Sequence, residues 1–332
     1  MRARVVVAGS ILVGAQVEIT ALAGSTLEFV AVPLSRKVGG PAVGATVGAL
    51  DGGASTVVLS DVGDDADGRA CVDRLAWLGA DTSHISVHPG EATGARLTCY
   101  RDEGEPLHIT VPAGVNTASA ADLALPTGCQ AGDALVVDAQ SVPKARRLLD
   151  EAFHADLQVI ADLRPFPRFG VAVGGRPALE VADLARIDVI VVDLEGAALL
   201  AESGAVAGAV VIVDGAQGAS WNGDLRGLQA ALRAGGERFD RFEPLDLVDP
   251  WPQHVFCGRL AAALADGADR QDALDAALLA WWRHARPGHP WFPGQRIDGE
   301  ARNLLDGAWR GYDDRSSRRR RHSDAGVDPG RP

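Results

Sequence analysis

The sequence predicts an α/β fold, with a doubly wound, mostly parallel β-sheet flanked by helices and a smaller set of antiparallel strands. Short runs of β-branched apolar residues recur along the chain, and helical segments separate them. Such continuous runs are typical of parallel strands, because helices cover both faces of a parallel sheet. Two stretches of looser polar and apolar alternation interrupt this rhythm and predict half-exposed antiparallel strands.

The first half of the chain opens on a central strand. Residues 4–9 are rich in valine and end in a glycine, which is typical of a strand buried on both faces. Residues 16–31 and 95–111 alternate polar and apolar side chains and predict half-exposed antiparallel strands. Between them the sequence predicts a small-residue helix that ends at Leu50, a strand at 55–60 and an amphipathic helix at 67–78.

The second half continues the alternation and ends in a polar tail. From residue 313 onward the chain has no periodicity that could bury a face, and it carries four consecutive arginines at 318–321. We therefore expect a disordered arginine-rich tail at 313–332. Ahead of it the sequence predicts strands at 134–137, 158–161, 188–192 and 210–213, and helices at 143–153, 255–265, 270–283 and 297–309.

The composition excludes several classes of function. The formal charge of −12, from 44 acidic and 32 basic residues, disfavours binding to nucleic acid or to anionic membranes. No apolar stretch reaches the roughly 20 residues that a membrane-spanning helix needs. The four cysteines lie far apart and lack the spacing of metal ligands, so we expect reduced thiols and a cytoplasmic protein that acts on a small molecule. These cysteines are Cys71, Cys99, Cys129 and Cys257.

Several short segments in a fixed order resemble the ribokinase-like (PfkB) carbohydrate kinases. The resemblance covers about residues 4–309, and its strength lies in the order of the segments, because each glycine alone is explained by a tight turn. The segments are the Gly39–Gly40 pair with Pro41, the glycine and aspartates at 63–65, Thr93 with Gly94, the turn at 114–116, the turn at 213–219, and the Arg286, Pro287 and Gly288 segment.

The resemblance implies one ribokinase-like domain at 1–312 that binds ATP and Mg²⁺. Its lid, at 11–37 and 93–112, would close over a sugar or nucleoside and exclude water. We also expect that the lid can pair two copies into a homodimer. The implied nucleotide-binding residues are Val213, Gly215, Gly218, Pro287 and Gly288, and the implied substrate-binding residues are Gly14, Gly39, Gly40, Gly44 and Asn116.

The catalytic loop departs from the pattern of that family. The family places a G-A-G-D sequence at a helix start, where backbone N–H groups hold the phosphate and the aspartate accepts the substrate proton. The corresponding residues here are Trp251, Pro252, Gln253 and His254, in a loop one residue shorter. Proline has no N–H to donate, so we expect a damaged anion hole and His254 at the position of the catalytic aspartate.

The substrate and metal positions also differ. Gly14 occupies the position of a family carboxylate, and Gly44 that of an asparagine, so two side chains that would hold sugar hydroxyls are missing. The family's N-x-x-E element falls on residues 192–195, where Val192 replaces the asparagine and Glu195 is kept as the implied metal ligand. Asp193 is an alternative ligand.

Three hypotheses follow for the function. The leading one is a protein that has diverged from ATP-dependent sugar or nucleoside phosphorylation, a catalytically impaired kinase that still binds a small ligand. The second is an active ATP-dependent kinase on an atypical substrate with His254 as base, because imidazole titrates near ~6.5. The third is a partner-binding protein that uses the lid or the tail.

Overall fold

The computed structural model describes residues 2–23, 28–101, 107–111, 123–139, 141–142, 145–164, 179–203, 209–214, 218–222 and 251–285. The chain divides into two compact units, Met1–Trp282 and Arg283–Pro332. Residues 283–285 are the described part of the second unit. The helix predicted at 297–309, the tail and four site positions lie outside the described residues, the four being Asn116, Gly215, Pro287 and Gly288.

Strands and helices alternate along the described chain. The strands are β1 (Arg4–Ala8), β2 (Leu12–Ala23), β3 (Glu28–Gly39), β4 (Ser55–Gly63), β5 (Ile85–His88), β6 (Ala95–Arg101), β7 (Leu107–Val111), β8 (Ala134–Asp138), β9 (Gln158–Asp162), β10 (Val189–Val192), β11 (Ala209–Asp214) and β12 (Gly218–Asn222). The helices are α1 (Pro41–Asp51), α2 (Ala66–Trp77), α3 (Arg146–His154), α4 (Leu194–Ser203), α5 (Trp251–Ala265) and α6 (Arg270–Ala285), with a 3-10 helix at Val181–Arg186.

The main sheet contains eight of these strands, in the order β12-β11-β10-β9-β8-β1-β4-β5. Seven of them run parallel, and β12 pairs antiparallel with β11 at one edge. Strand β1 lies inside the sheet between β8 and β4, and its valines are almost completely buried. The predicted α/β class, with a doubly wound and mostly parallel sheet, is confirmed.

A second, smaller sheet contains the strands that the sequence assigned to a lid. Its order is β3-β2-β6-β7. The pairs β2/β3 and β6/β7 are antiparallel, as predicted for each stretch. Strands β2 and β6 pair in parallel between the two stretches. A mixed sheet therefore joins two chain segments that are separated by α1, β4, α2 and β5.

Four elements were not predicted, and one helix is longer than expected. The missed elements are β5, the 3-10 helix, α4 and β12, which are short or lack a clear apolar period. Helix α5 begins at Trp251, four residues before the predicted start at residue 255. Pro252 is compatible with this start, because the first-turn N–H groups of a helix have no partner within the helix.

Helices α1 and α5 pack on one another at unusually short range. A Cβ atom built on Gly48 of α1 would overlap the carbonyl oxygen of Val255, and one built on Gly258 of α5 would overlap that of Ala45. The two backbones are therefore in direct contact. This contact sets the position of α5 beside the ends of β1, β8 and β9.

None of the helices in the described part of the chain combines the length and the apolar character needed to cross a membrane.

Candidate functional site

The candidate site lies where three neighbouring parallel strands end. Strands β9, β8 and β1 are adjacent in the main sheet and run in the same direction. Their carboxyl ends therefore meet at one edge, which is where ligands bind in open α/β sheets. Strand β8 ends at Asp138 and β9 at Asp162, and the first turn of α5 brings His254 to the same place.

Asp138 organises the backbone at this edge. Its side chain accepts hydrogen bonds from the backbone N–H of Ser10, at 2.8 Å, and from that of Ser141, at 2.9 Å. Gly9 precedes Ser10, and a Cβ there would lie 2.6 Å from Asp138 Oδ2. The loop after β1 can approach this carboxylate because residue 9 has no side chain.

Asp162 and Arg164 form a buried ion pair. Arg164 Nε donates to Asp162 Oδ1 at 2.7 Å, and Nη2 donates to Oδ2 at 3.0 Å. The side chains of Asp162 and Arg164 are only 3% and 4% exposed. Because the two bonds run in parallel, the geometry is the bidentate one that makes a charge-assisted contact strong.

His254 joins the same carboxylate from the other side. Its Nδ1 lies 2.8 Å from Asp162 Oδ2, and its side chain is 9% exposed. Burial alone would raise the pKa of Asp162, but the charge of Arg164 and the hydrogen bond with His254 hold that pKa well below its ordinary value. Asp162 is thus ionised and accepts hydrogen bonds from both neighbours.

Arg164 also links the pair to α5. Its Nη2 donates to the carbonyl oxygen of Gln253 at 2.5 Å and lies 3.3 Å from Cys257 Sγ. Burial raises the pKa of the Cys257 thiol well above its usual range, so the thiol is protonated and a poor nucleophile. Cys257 contributes packing and a weak hydrogen bond.

A small cavity lies between these groups. Its volume is about 10 Å³, which is close to the space that one water molecule occupies. Polar side chains line one side of it, and apolar residues of β1, β8 and α1 line the other. The polar lining residues are Asp138, Asp162, His254 and Cys257.

The structure brings some of the predicted substrate positions to this edge. Gly40 has φ of 102°, and a Cβ there would overlap the carbonyl oxygen of Ser10, so this turn requires glycine. Gly39 ends β3 opposite Leu12, and Gly44 N–H bonds the carbonyl oxygen of Gly40 within α1. Gly14 lies in β2 opposite Lys37, within the small sheet.

The predicted nucleotide positions lie on neighbouring strands. Val213 and Gly218 sit at the turn-side ends of β11 and β12, and β11 is separated from β9 by β10 alone. This places them two strands from Asp162 along the same edge of the sheet.

The predicted metal ligands lie at the start of α4. Glu195 lies in the first turn of α4, and Asp193 Oδ1 accepts the N–H of Gly196 at 2.7 Å as the cap of that helix. Within the described ranges, no three His, Cys, Asp or Glu side chains are placed to hold a metal ion. Mg²⁺ is usually held by one or two carboxylates together with phosphates of the substrate, so Glu195 and Asp193 as metal ligands stay a prediction.

Sequence reasoning missed Asp162 and Arg164. It predicted the strand at 158–161 but assigned no role to the residues that follow. The available signal is an acidic residue at the end of an apolar strand, with an arginine two positions later. That pattern cannot reveal the histidine, which is 92 residues away in the chain.

Comparison with solved structures finds the same fold in known kinases. Ribokinase from Thermotoga maritima superposes with a TM-score of 0.65 at 16% identity, over 93% of this chain and 99% of that one. Arabidopsis thaliana ribokinase complexed with ribose and ATP gives 0.63 at 17% identity, over 92% and 99%. Burkholderia thailandensis nucleoside kinase in complex with inosine gives 0.64 at 16% identity, over 86% and 93%.

At such low sequence identities, the structural similarity shows the fold alone. No protein-family model matches the chain, and a search of curated proteins finds no significant match. The fold of the chain is ribokinase-like.

Proposed function

We propose that this chain is a ribokinase-fold protein that binds a small polar ligand at the carboxyl edge of its main sheet, and that its phosphoryl transfer is impaired relative to sugar and nucleoside kinases. The observation that carries the proposal is the buried cluster of His254, Asp162 and Arg164. His254 stands at the position that the family resemblance assigns to the catalytic aspartate.

Phosphoryl transfer needs donors aimed at the transferred phosphate and a base near the acceptor hydroxyl. The donors are weakened here, since Pro252 in the first turn of α5 has no N–H. Two nitrogens of Arg164, Nε and Nη2, are already used in bonds to Asp162, to the carbonyl oxygen of Gln253 and to Cys257.

Ligand binding is supported by the position of the cluster. Buried polar groups and a cavity at the carboxyl ends of parallel strands are the usual features of a binding site in this class of fold. The ribokinase named above was solved in complex with ribose and ATP, and the nucleoside kinase in complex with inosine. A sugar or nucleoside, together with ATP and Mg²⁺, is accordingly the first ligand set to test.

A second candidate function is an active ATP-dependent kinase on an atypical alcohol, with His254 as general base. The contact between His254 Nδ1 and Asp162 favours it, because a carboxylate that holds one ring nitrogen orients the other toward a substrate. ATP and Mg²⁺ would then supply the phosphoryl group and neutralise its charge.

Two measurements on the purified protein separate the candidates. Differential scanning fluorimetry with ADP, ATP–Mg²⁺, D-ribose and adenosine at millimolar concentration reports binding, since a ligand of the native state raises the melting temperature. A coupled assay for ADP release reports turnover. We expect a ligand-induced increase in melting temperature and turnover at least ~10²-fold below the typical ~10 s⁻¹, because a missing general base costs about that factor.

His254→Gln and Asp183→Asn provide the matched comparison. Asp183 is another buried aspartate bound by an arginine, Arg146, without a histidine partner. Fast ADP release that His254→Gln abolishes and Asp183→Asn preserves would establish the second candidate in place of the first. Failure of all four probes to change the melting temperature would contradict both.

The partner hypotheses stay as predictions. On the exposed edge strand β7 of the small sheet, Ile109 and Val111 are 43% and 58% exposed, which is compatible with the predicted homodimer through that sheet. The predicted tail at 313–332 lies outside the described residues.

A further inference from the structure

The cluster at the sheet edge determines which nitrogen of His254 can contact a ligand. Asp162 Oδ1 accepts from the backbone N and from Nε of Arg164, and Oδ2 accepts from Nη2 of Arg164. An ionised carboxylate has no hydrogen to donate, so Nδ1 of His254, at 2.8 Å from Oδ2, must be the donor in this contact.

The tautomer of the neutral imidazole follows from that bond. A neutral ring carries one N–H and one lone pair, so a proton on Nδ1 leaves the lone pair on Nε2. In the described part of the chain, no group forms a hydrogen bond with Nε2. His254 therefore offers an unused acceptor in a residue that is more than nine-tenths buried.

The cavity limits what that acceptor can receive. Its volume of about 10 Å³ is close to the space needed by one water-sized group, such as a hydroxyl. Asp138 and Asp162 line the same cavity, and Arg164 balances the charge of Asp162. A hydroxyl or N–H donor matches the size of the cavity and the lone pair of Nε2.

We propose that Asp162 and Arg164 are positioning residues that fix His254 as a hydrogen-bond acceptor, and that the ligand of this site inserts a hydroxyl or N–H donor toward His254 Nε2. This inference rests on the proposed small-ligand function and names the group that the ligand must present. Arg164 keeps Asp162 ionised, and Asp162 accepts a hydrogen bond from Nδ1–H of His254. The lone pair of Nε2 then accepts a hydrogen bond from the hydroxyl or N–H group of the ligand.

Two-bond ¹H–¹⁵N spectra of the ¹⁵N-labelled full chain test the tautomer directly. The signal of His254 is identified by its loss in His254→Gln. At pH 8 we expect the ¹⁵N shift of Nε2 to be that of an unprotonated nitrogen and the shift of Nδ1 that of a protonated one. A protonated Nε2, with or without a proton on Nδ1, would overturn the proposal.

Asp162→Asn tests the positioning role. Two Arg164 donors face Oδ1, so the amide oxygen belongs there and the NH₂ group takes the Oδ2 position beside His254. The NH₂ group cannot accept from Nδ1, so we expect the lone pair to move to Nδ1 and the two ¹⁵N shifts to exchange. Unchanged shifts would overturn the role of Asp162.

The control is Asp183→Asn, which removes the charge of a buried aspartate that Arg146 binds through Nε at 2.6 Å and Nη2 at 2.9 Å. It should leave the spectrum of His254 unchanged. The wild-type spectrum alone decides the tautomer, so the test holds even where Asp162→Asn does not fold.

Titration with D-ribose and adenosine tests the ligand. We expect the ¹⁵N signal of Nε2 to move on binding, and His254→Leu to lower the affinity at least tenfold. Probes that raise the melting temperature without moving the Nε2 signal would overturn this inference and leave the proposed function standing. Probes that neither bind nor raise the melting temperature would overturn the proposed function and the ligand half of this inference.

Discussion

Asp162 is a charged residue that the fold removes almost completely from water. A buried carboxylate is costly unless opposite charge and hydrogen bonds compensate it, and Arg164 and His254 supply both. Because Arg164 follows two positions later in the same segment, the backbone N–H of residue 164 also bonds Asp162, at 3.3 Å. The ion pair thus joins two residues that are close in sequence, whereas the contact with His254 joins residues that are 92 positions apart.

Loss of one partner of this pair should strongly destabilise the protein. Arg164→Met leaves Asp162 buried without its counter-charge, and we expect the free energy of unfolding to fall by about 3–5 kcal/mol. Urea denaturation measures the change. Arg147→Met is the control, because Arg147 is 63% exposed and its bond to Glu151 is an ordinary surface pair of about 0.5 kcal/mol. Similar losses of unfolding free energy in the two variants would contradict the stabilising role of the buried ion pair.

At the scale of elements, the contact between α1 and α5 positions the site. His254 lies one residue before Val255, whose carbonyl oxygen faces Gly48 of α1. The close approach depends on Gly48 and Gly258, since side chains there would force the helices apart. The first turn of α5 therefore reaches the ends of β8 and β9 because two glycines in different helices allow it.

A side chain at Gly258 should separate these helices. Its first carbon would meet backbone atoms of Ala45, which cannot rotate away, so Gly258→Val should lower the free energy of unfolding by at least about 1–3 kcal/mol. Circular dichroism during urea denaturation measures this. Ala70→Val on the exposed face of α2 is the matched control and should change stability by less than about 0.5 kcal/mol. A neutral Gly258→Val would show that the helices do not touch.

A group of hydrogen bonds around Asp65 connects the small sheet to the main sheet. Asp65 caps α2 by accepting the N–H of Gly68 at 2.7 Å, and it also accepts the N–H and hydroxyl of Thr93 at 2.8 and 2.7 Å. Thr93 in turn accepts the N–H of Gly63 at the end of β4. One carboxylate thus ties the start of α2 to the segment that enters β6.

At the scale of the whole molecule, several carboxylates make stability depend on pH. Hydrogen bonds from Thr93 and Gly68 outweigh burial and lower the pKa of Asp65, the N–H of Leu125 lowers that of Glu151, and Arg164 lowers that of Asp162 against burial. A carboxyl whose pKa is lowered by folding stabilises the native state above its unfolded pKa, and this contribution disappears as pH falls through the folded pKa.

We therefore expect acid to destabilise the protein. The free energy of unfolding should be lower at pH 3 than at pH 7, with the loss beginning near the unfolded carboxyl pKa of about 4. Asp188, whose pKa is raised by burial, acts in the opposite direction and reduces the effect. Urea denaturation across this pH range measures it, and Glu151→Gln should flatten the dependence. Equal stability at the two pH values would contradict the lowered pKa values.

The fold was largely predictable because its signal is local. Buried parallel strands such as β1 and β8 are continuous apolar runs, and Gly40 with Pro41 marks the start of α1. Short elements such as β5 escaped prediction because four residues carry too little periodicity. The start of α5 was misplaced because Trp251 and Pro252 were interpreted as loop residues.

The sequence by itself determined the α/β class and the alternation of buried strands and helices, and the position of His254 at a family aspartate stays a prediction. Only the tertiary structure decided that Asp162, Arg164 and His254 form one buried cluster. Their contacts span up to 92 residues and depend on adjacent strand ends and on the close approach of α1 and α5. Local sequence determines whether each segment forms a strand or a helix. The burial of a charged side chain depends instead on packing between segments that are distant in the chain, because that packing removes the side chain from water.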